Sequence, residues 1–429
     1  MNGGPRALTG LLSLALLAIA PLLAGCADGQ GAPTRSASAA AASTAVTWSV
    51  VEAGGGSVSA AGLYSAPATE ATYHVRATSV ADASVHGDAS VTVKAAGAGG
   101  PAAMALLAHA DPYDGAPSGG AKALDLGAAR GQVLLFWKND GNGGESHDAS
   151  IRGWLPGVAA AYVVETAPSS TGPWTARVTV STSPRTGTAQ NTLTSRQHLF
   201  SAAGDRWLRV RVTAGDTSLG RVDVLDATNG AADSFVIFGD SITQYAAEAS
   251  PSTSIADRVA ALTGGAHHPV VEGAGITYDK YDGDAPAGND TDARQRLLDD
   301  LPLHPGRYVG LAYGTNDSVN DATEVAAFKA AFRTCLDRIL AAGKVPMVAT
   351  VPWNAEQTTI VARNQHLAAV LAEAAYAGKW IAGPDLYAFF SQPANQHFIT
   401  DGDGLHPSVA GESEWRRLWA EAIVANVYR

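Results

Sequence analysis

Residues 234–243 read Ser-Phe-Val-Ile-Phe-Gly-Asp-Ser-Ile-Thr, and this stretch decides the fold of the C-terminal part of the chain. A short apolar run ends at Gly239, as expected of a buried strand that leads into a turn. Glycine permits a sharp turn there, so the hydroxyl of Ser241 would be exposed at the N-terminus of a helix. The stretch therefore predicts a strand, a turn and a helix that together present a serine.

The segments that follow alternate between strand and helix patterns. After the strand at 234–238, further strands are predicted at 269–272, 308–312, 345–350 and 380–382. Helices are predicted at 255–262, 292–301, 323–342, 358–377 and 410–427. This alternation is typical of an α/β domain with a parallel sheet and helices on both faces. We expect such a domain at residues 231–429, with functional side chains at the C-terminal ends of its strands.

Three more short motifs follow predicted strands in this domain. Residues 273–275 read Gly-Ala-Gly, residues 314–317 read Gly-Thr-Asn-Asp, and residues 403–406 read Asp-Gly-Leu-His. With the serine turn, these motifs supply a nucleophile, a base, an orienting carboxylate and hydrogen-bond donors for an oxyanion. That is a full set of groups for hydrolysing an ester.

The order and spacing of the four motifs resemble the SGNH hydrolases, also called the GDSL esterase/lipase family. The resemblance implies Ser241 as nucleophile, His406 as base and Asp403 as the residue that orients the histidine. It also implies that the oxyanion hole is formed by the backbone N–H groups of Ser241 and Gly275 and by the side-chain amide of Asn316. The implied fold is a flavodoxin-like, doubly wound five-stranded sheet, and the implied chemistry uses no metal and no organic cofactor.

Alternatives remain open within this site. Gly273 stands where the family usually has asparagine, so Gly273 rather than Gly275 is a possible oxyanion donor. Asp401 is a second candidate for orienting the histidine, although its spacing fits the family pattern less well. The histidine pair at 267–268 lacks a metal-ligand spacing such as His-Glu-x-x-His, so it predicts no metal site. The chain has no Gly-x-Ser-x-Gly motif, which argues against the α/β-hydrolase fold.

The N-terminus, residues 1–25, has the pattern of a signal peptide. Arg6 precedes an apolar run, Leu11 to Leu23, that is too short for a comfortable membrane span. Residues 23–26 read Leu-Ala-Gly-Cys and resemble a bacterial lipobox, which implies lipidation of Cys26 and anchoring to a cell or outer membrane. An ordinary secretory signal is the alternative. The Ala/Ser/Gly-rich residues 26–44 predict a flexible tether.

Two strand-rich modules are predicted between the tether and the hydrolase domain. Residues 45–94 resemble the C-terminal part of bacterial Ig-like domains, and residues 122–230 resemble the jelly-roll or discoidin-like sandwiches of carbohydrate-active proteins. The Gly/Ala/Pro-rich residues 95–121 predict a linker between them. Because almost no linker separates the sandwich from the hydrolase domain, we expect it to dock rigidly and form one wall of the active-site cleft. Four of its tryptophans are candidates for stacking on sugars or for filling the core: Trp137, Trp154, Trp174 and Trp207.

Composition limits the partners. The net charge of the 429-residue chain is −11, and no basic run is present, so nucleic acid is excluded as an expected partner. The sequence predicts an exported, membrane-anchored serine esterase acting on short acyl esters, foremost acetyl groups on a polysaccharide. Residues 276–292 are polar and acidic, which gives a long acyl chain little lining. The alternatives are a lysophospholipase or thioesterase, and a glycan-binding adhesin whose hydrolase domain is inactive.

Overall fold

A computed structural model describes residues 45–58, 64–65, 71–93, 100–110, 121–137, 159–180, 196–215, 222–247, 254–275, 279–283 and 292–428. The chain divides into two compact units, residues 1–98 together with Arg429, and residues 99–428. The predicted signal peptide, the tether and Cys26 lie outside the described residues. Within those residues, no helix has both the length and the apolar character needed to cross a membrane.

The first unit is built from short antiparallel strands. Strands β1 (Val46–Val50), β4 (Ala71–Ser79) and β5 (His86–Val93) form one sheet in the order β1-β4-β5, and β2 (Ser57–Val58) pairs with β3 (Tyr64–Ser65). On β4 the alternate residues Tyr73 and Val75 are buried, as the period of two in a half-buried strand requires. The strand-rich prediction is confirmed, and the Ig-like resemblance stays a prediction.

The second unit begins with a β-sandwich. Its strands are β6 (Leu106–Ala110), β7 (Ala121–Asp125), β8 (Gln132–Trp137), β9 (Ala159–Ala167), β10 (Thr175–Val180), β11 (Arg196–Ser201), β12 (Trp207–Gly215) and β13 (Val222–Asp226). They form two antiparallel sheets, β10-β9-β12-β7 and β11-β8-β13-β6, which pack face to face. Trp137 is fully buried between the sheets, with its ring at right angles to that of Tyr162. Trp137 is therefore a core residue and not a sugar platform, while Trp154 lies outside the described residues.

The predicted linker at 95–121 is wrong over residues 106–110, which form β6. This strand pairs with β13, more than 100 residues further along the chain, and His109 lies 2.5 Å from the Asp223 carboxylate. The run Leu-Leu-Ala-His-Ala has few of the β-branched and aromatic residues that mark a strand. Its pairing comes from a distant partner, and local sequence does not reveal such a partner.

The C-terminal domain, predicted to be a hydrolase, contains a five-stranded parallel sheet. Its strands are β14 (Ser234–Gly239), β15 (Val270–Gly275), β16 (Tyr308–Ala312), β17 (Val345–Val348) and β18 (Ile381–Ala382), in the order β15-β14-β16-β17-β18. Its helices are α1 (Ser241–Ala246), α2 (Ile255–Leu262), α3 (Ala293–Asp300), α4 (Ala322–Ala341), α5 (Ile360–Leu371), α6 (Leu386–Phe390), α7 (His397–Thr400) and α8 (Val409–Val427). A short 3-10 turn, Leu301–Leu303, follows α3.

Helices cover both faces of this sheet. Phe328 and Phe332 of α4 pack on one face, against Phe238 and the strands beside it. Trp415 and Trp419 of α8 pack on the other face, against residues such as Ile237. Successive residues of β14 point to opposite faces of the sheet. Because helices cover both faces, the strand is buried along its whole length. The predicted flavodoxin-like α/β fold is confirmed.

The β-sandwich packs directly against this domain. The side-chain amide of Gln197 on β11 donates to the Phe235 carbonyl at 3.2 Å and to the Glu272 carboxylate at 3.0 Å. Ser234 donates to the amide oxygen of the same glutamine, and His304 Nδ1 lies 3.1 Å from Glu272. All five residues are buried, so the two domains share a polar contact from which water is excluded.

The position of this contact corrects one expectation. Phe235 and Glu272 lie in the N-terminal halves of their strands, whereas Ser241 follows the C-terminal end of β14. Val270, the first residue of β15, belongs to the same buried apolar cluster as Phe136 of the sandwich, and it lies at the same end of the strand. Among the described residues, the sandwich therefore supports the edge of the sheet, and the prediction that it forms a wall of the cleft is wrong for them.

Candidate active site

Ser241 is the first residue of α1, directly after the turn at the end of β14. Asp240 caps this helix, and its carboxylate accepts a hydrogen bond from the Ile242 N–H at 3.0 Å. A Cβ atom on Gly239 would lie 2.0 Å from the hydroxyl oxygen of Thr243. Glycine is needed here because the first turn of α1 packs onto the strand end, and not because the backbone is left-handed.

His406 connects the serine to a carboxylate. Its Nε2 lies 2.8 Å from the Ser241 Oγ, and its Nδ1 lies 2.7 Å from Asp403 Oδ2. The other carboxylate oxygen of Asp403 accepts the backbone N–H groups of Leu405 at 2.9 Å and of His406 at 2.6 Å. The turn thus fixes both the backbone and the ring of the histidine. The serine predicted as nucleophile and the carboxylate predicted as orienting group are each within hydrogen-bond reach of the histidine between them.

The charge of Asp403 sets the tautomer of the histidine. Partial burial would raise the pKa of Asp403, but hydrogen bonds from His406 and Leu405 together lower it to about 2. An ionised carboxylate only accepts hydrogen bonds, so the proton of a neutral His406 ring resides on Nδ1. The Nε2 lone pair then faces the Ser241 hydroxyl, as a general base requires.

Asp403, and not Asp401, makes this contact. Asp401 is exposed and ends helix α7, where its backbone N–H donates to the His397 carbonyl. Gly404 has a φ of +88°, a conformation that allows the chain to fold back onto the Asp403 carboxylate. The loop after β17 supports the same turn, because the Ala355 N–H donates to the Gly404 carbonyl at 2.9 Å.

Of the two candidate oxyanion glycines, Gly275 lies nearer the strand end. Gly275 is the last residue of β15 and is in register with Gly239 on β14. A Cβ atom on Gly275 would lie 2.1 Å from the backbone nitrogen of Gln244, in the first turn of α1. Gly273 instead packs against Ala247, beyond the other end of this helix. The position favours Gly275, and its role as a donor stays a prediction.

Asn316 lies in the loop after β16, where its side-chain amide donates to the backbone carbonyl of Asp279 at 2.9 Å. The amide has a second hydrogen, which this bond orients. The neighbouring carboxylate of Asp317 accepts the N–H groups of Tyr281 at 3.1 Å and of Asp282 at 2.9 Å. Together, Asn316 and Asp317 attach residues 279–282 to the end of β16.

Beneath these loops lies a set of buried ionisable side chains, of which Asp240 and Asp317 belong to the sequence motifs and Asp279 and Arg296 do not. Burial raises the pKa of Asp240 to about 7, and those of Asp279 and Asp317 to about 6. Arg296, which is also fully buried, lies 2.8 Å from Asp279. One signal in the sequence was available: Arg296 lies beside Leu297 and three residues after Ala293, on the apolar stripe of α3. A charged residue on the buried face of a helix indicates a buried partner.

Fold and site together define a hydrolase domain for carboxylic esters, of the type that uses a serine. Residues 237–413 match the model of the GDSL-like Lipase/Acylhydrolase family. The C-terminal part of the chain is therefore a GDSL-like lipase/acylhydrolase domain, as the motif resemblance predicts. In the parts of the chain that the structure describes, no group of three or more His, Cys, Asp or Glu residues is arranged to hold a metal ion.

Solved structures are also similar to this chain. The lipase/acylhydrolase from Enterococcus faecalis has 25% identity and a TM-score of 0.34, with 44% of this chain and 94% of that one covered. An acetylxylan esterase from Geobacillus stearothermophilus has 19% identity and a TM-score of 0.32, covering 44% and 93%. A carbohydrate acetylesterase from Sinorhizobium meliloti has 18% identity and a TM-score of 0.32, covering 45% and 98%. No curated protein matches the chain in sequence.

Proposed function

We propose that this protein is an exported serine esterase that removes short acyl groups, foremost acetyl, from carbohydrate. The observation that carries the catalytic assignment is the hydrogen-bonded series from Ser241 through His406 to Asp403. In this series the carboxylate binds one ring nitrogen of the histidine, and the other ring nitrogen faces the serine hydroxyl as a general base.

The reaction follows from this geometry. The Ser241 oxygen attacks the ester carbonyl carbon while His406 Nε2 takes the serine proton. The negative charge that develops on the carbonyl oxygen is stabilised by the N–H groups of Ser241 and Gly275 and by the free hydrogen of the Asn316 amide. Collapse of the intermediate expels the alcohol, which takes the proton from His406. Water, deprotonated by the same histidine, then hydrolyses the acyl-enzyme and restores Ser241.

The described surroundings of the site favour a short acyl group. The segment 279–283 contains a single large apolar side chain, that of Tyr281, and it is fully buried. Its ring packs against Tyr313, Phe328 and Phe332 in the core. The flanking side chains of Lys280 and Asp282 are polar and partly exposed. This segment therefore does not provide the apolar lining that a long acyl chain needs.

One aromatic residue supports a carbohydrate substrate. Trp353 follows β17, in the loop whose Ala355 holds the histidine turn, and its side chain is only partly buried. A partly exposed indole can stack on a sugar ring.

The lipid-active alternative has one observation in its favour. A cavity of about 340 Å³ lies between β17, α5 and the end of β18, lined by apolar residues such as Leu367, Leu371 and Trp380. It lies two or more strands away from β14, so with strands about 4.8 Å apart an acyl chain on Ser241 would have to pass β16 to reach it. We therefore rank a lysophospholipase or thioesterase second.

A series of p-nitrophenyl esters from acetate to octanoate distinguishes the two. We expect kcat/KM of the full chain to be highest for acetate and to fall steeply by octanoate, because longer chains find no lining. Acetate should also be released from acetylated xylan faster than fatty acid from lysophospholipid. A maximum at octanoate or longer, or the reverse order of the two natural esters, would establish the lipid-active alternative instead.

The membrane anchor is a separate proposal, supported by the lipobox-like residues 23–26 and the tether that follows. Metabolic labelling with a clickable fatty acid should mark the wild-type protein and not Cys26→Ser, because the thiol is the acylated group. Cys335→Ser is the matched control. It keeps Cys26, and the thiol that it removes is buried in the core, so this variant should remain labelled. Equal labelling of wild type and Cys26→Ser would contradict the anchor.

A further inference from the structure

Arg296 is a fully buried cation directly beneath the loops of the active site. Its Nη1 donates to the Asp279 carboxylate at 2.8 Å, to the Tyr313 hydroxyl at 3.1 Å and, at the longer distance of 3.4 Å, to the Gly239 carbonyl. Its guanidinium carbon lies 5.3 Å from the centre of the Phe238 ring. The catalytic steps above do not use this residue, yet one nitrogen contacts three separate segments.

Each of these segments carries part of the proposed catalytic machinery. Gly239 lies two residues before the nucleophile Ser241. Tyr313 lies three residues before Asn316, in the same loop. Asp279 is the residue whose backbone carbonyl receives the Asn316 amide. Arg296 is thus the point where the nucleophile turn and the oxyanion amide are held by the same group.

Burial gives this contact its importance. A carboxylate and a guanidinium that are both removed from water depend on each other, since either one left alone would be a buried, uncompensated charge. Burial raises the pKa of Asp279 to about 6, and the charge of Arg296 opposes that rise. Without the arginine, the Asp279 side chain loses its anionic state, its position or both. The carbonyl that orients Asn316 belongs to the same residue and would be displaced with it.

We propose that Arg296 is a positioning residue for catalysis, which aligns the Asn316 amide with Ser241 by holding Asp279, Tyr313 and Gly239 together. This inference rests on the proposed function, in which Asn316 stabilises the oxyanion. The arginine does not touch the substrate. It acts by keeping the hydrogen-bond donor where the charge develops, and a displacement of about 1 Å there can cost about 100-fold in rate.

The test is a double-mutant cycle between Arg296→Met and Asn316→Ala, with p-nitrophenyl acetate as substrate. Asn316→Ala should lower kcat by about 10²–10³-fold. Arg296→Met should lower kcat by about 100-fold in the wild-type background while KM changes little, because the lost interaction is made in the transition state. In the Asn316→Ala background the same change should cost less than about 10-fold, since the donor that it positions is already absent.

Arg333→Met is the matched control. Arg333 on α4 also pairs with a carboxylate, that of Glu373, but this pair is partly exposed to solvent. The kcat of this variant should therefore stay at the wild-type value. If Arg296→Met does not fold, Arg296→Lys and Tyr313→Phe replace it in the cycle, because the first keeps the charge and the second keeps the ring. Melting curves identify folded variants before kinetics are measured.

The outcomes are distinct. An equal cost of the arginine change in both backgrounds, or a wild-type kcat in folded Arg296→Met, overturns the positioning role. A rise in KM alone overturns it as well and makes Arg296 a contributor to substrate binding. A wild-type protein that hydrolyses no ester would instead refute the proposed function, so the two failures cannot be confused.

Discussion

Replacing Ser241 with alanine is expected to reduce ester hydrolysis by about 10⁴–10⁶-fold in kcat, because the missing oxygen forms the covalent bond to the acyl group. The fold should survive the change. Ser241 is buried, but the helix that it begins is capped by the neighbouring Asp240, whose hydrogen bond to Ile242 remains. Turnover of p-nitrophenyl acetate by purified variant and wild type measures the effect.

A phosphonate ester probe gives an independent measurement. It should label Ser241 in the wild type and leave the alanine variant unlabelled, whereas Ser49→Ala, an exposed position in the first unit, should behave as wild type. Near wild-type turnover by Ser241→Ala would show that another residue is the nucleophile. If the wild type hydrolyses the ester and Ser241→Ala does not, the adhesin interpretation, in which the hydrolase domain is inactive, is also excluded.

The arrangement of the candidate site was largely predictable from sequence. Apolar runs locate the strands, so 234–238 is predicted where β14 runs from Ser234 to Gly239. The strands are parallel, so residues that follow different strands meet at one edge of the sheet. Ser241 and His406 are 165 residues apart in the chain, yet their side chains lie within hydrogen-bond distance. The order of the motifs therefore predicted the geometry of the site, because in a parallel sheet the residues that follow successive strands lie close together.

Other features were not predictable, for physical reasons that differ from case to case. The strand at 106–110 is defined by its partner β13 and not by its own composition. The contact of Gln197 with Glu272 joins residues 75 positions apart in two domains, and neither residue type signals burial. The pairing of Arg296 with Asp279 follows the same rule, since Asp279 lies in the polar and acidic segment 276–292, whose residue types do not signal burial. The local sequence pattern predicts the hydrophobic faces of helices and strands well, but it does not predict which polar groups become buried partners.

Asp403→Asn is expected to lower kcat by about 10³–10⁴-fold, and the hydrogen bonds of the turn explain why the effect is so large. One carboxylate oxygen accepts two backbone N–H groups, so in asparagine this position has to be the amide oxygen. The amide nitrogen then faces His406 Nδ1 and donates to it. The ring proton moves to Nε2, which can no longer accept the proton of Ser241.

The pKa of Asp403 adds a condition that can be measured. Because that pKa is lowered to about 2, the wild-type carboxylate is ionised over the pH range in which the protein is assayed. Protonation of Asp403 reduces the activity only as the pH falls toward 2. The defect of Asp403→Asn should therefore persist at every assay pH from neutral to alkaline, since a tautomer is at fault and not a titration. Recovery of activity at higher pH would contradict this explanation.

Asp401→Asn is the control for this prediction, because it makes the same chemical change two residues earlier in the same loop. Asp401 is exposed, and its backbone N–H, which the substitution keeps, supplies its bond to the end of α7. Its kcat should stay close to the wild-type value. A larger loss for Asp401→Asn than for Asp403→Asn would make Asp401 the orienting carboxylate, and His406 would then have to rotate away from the geometry described above.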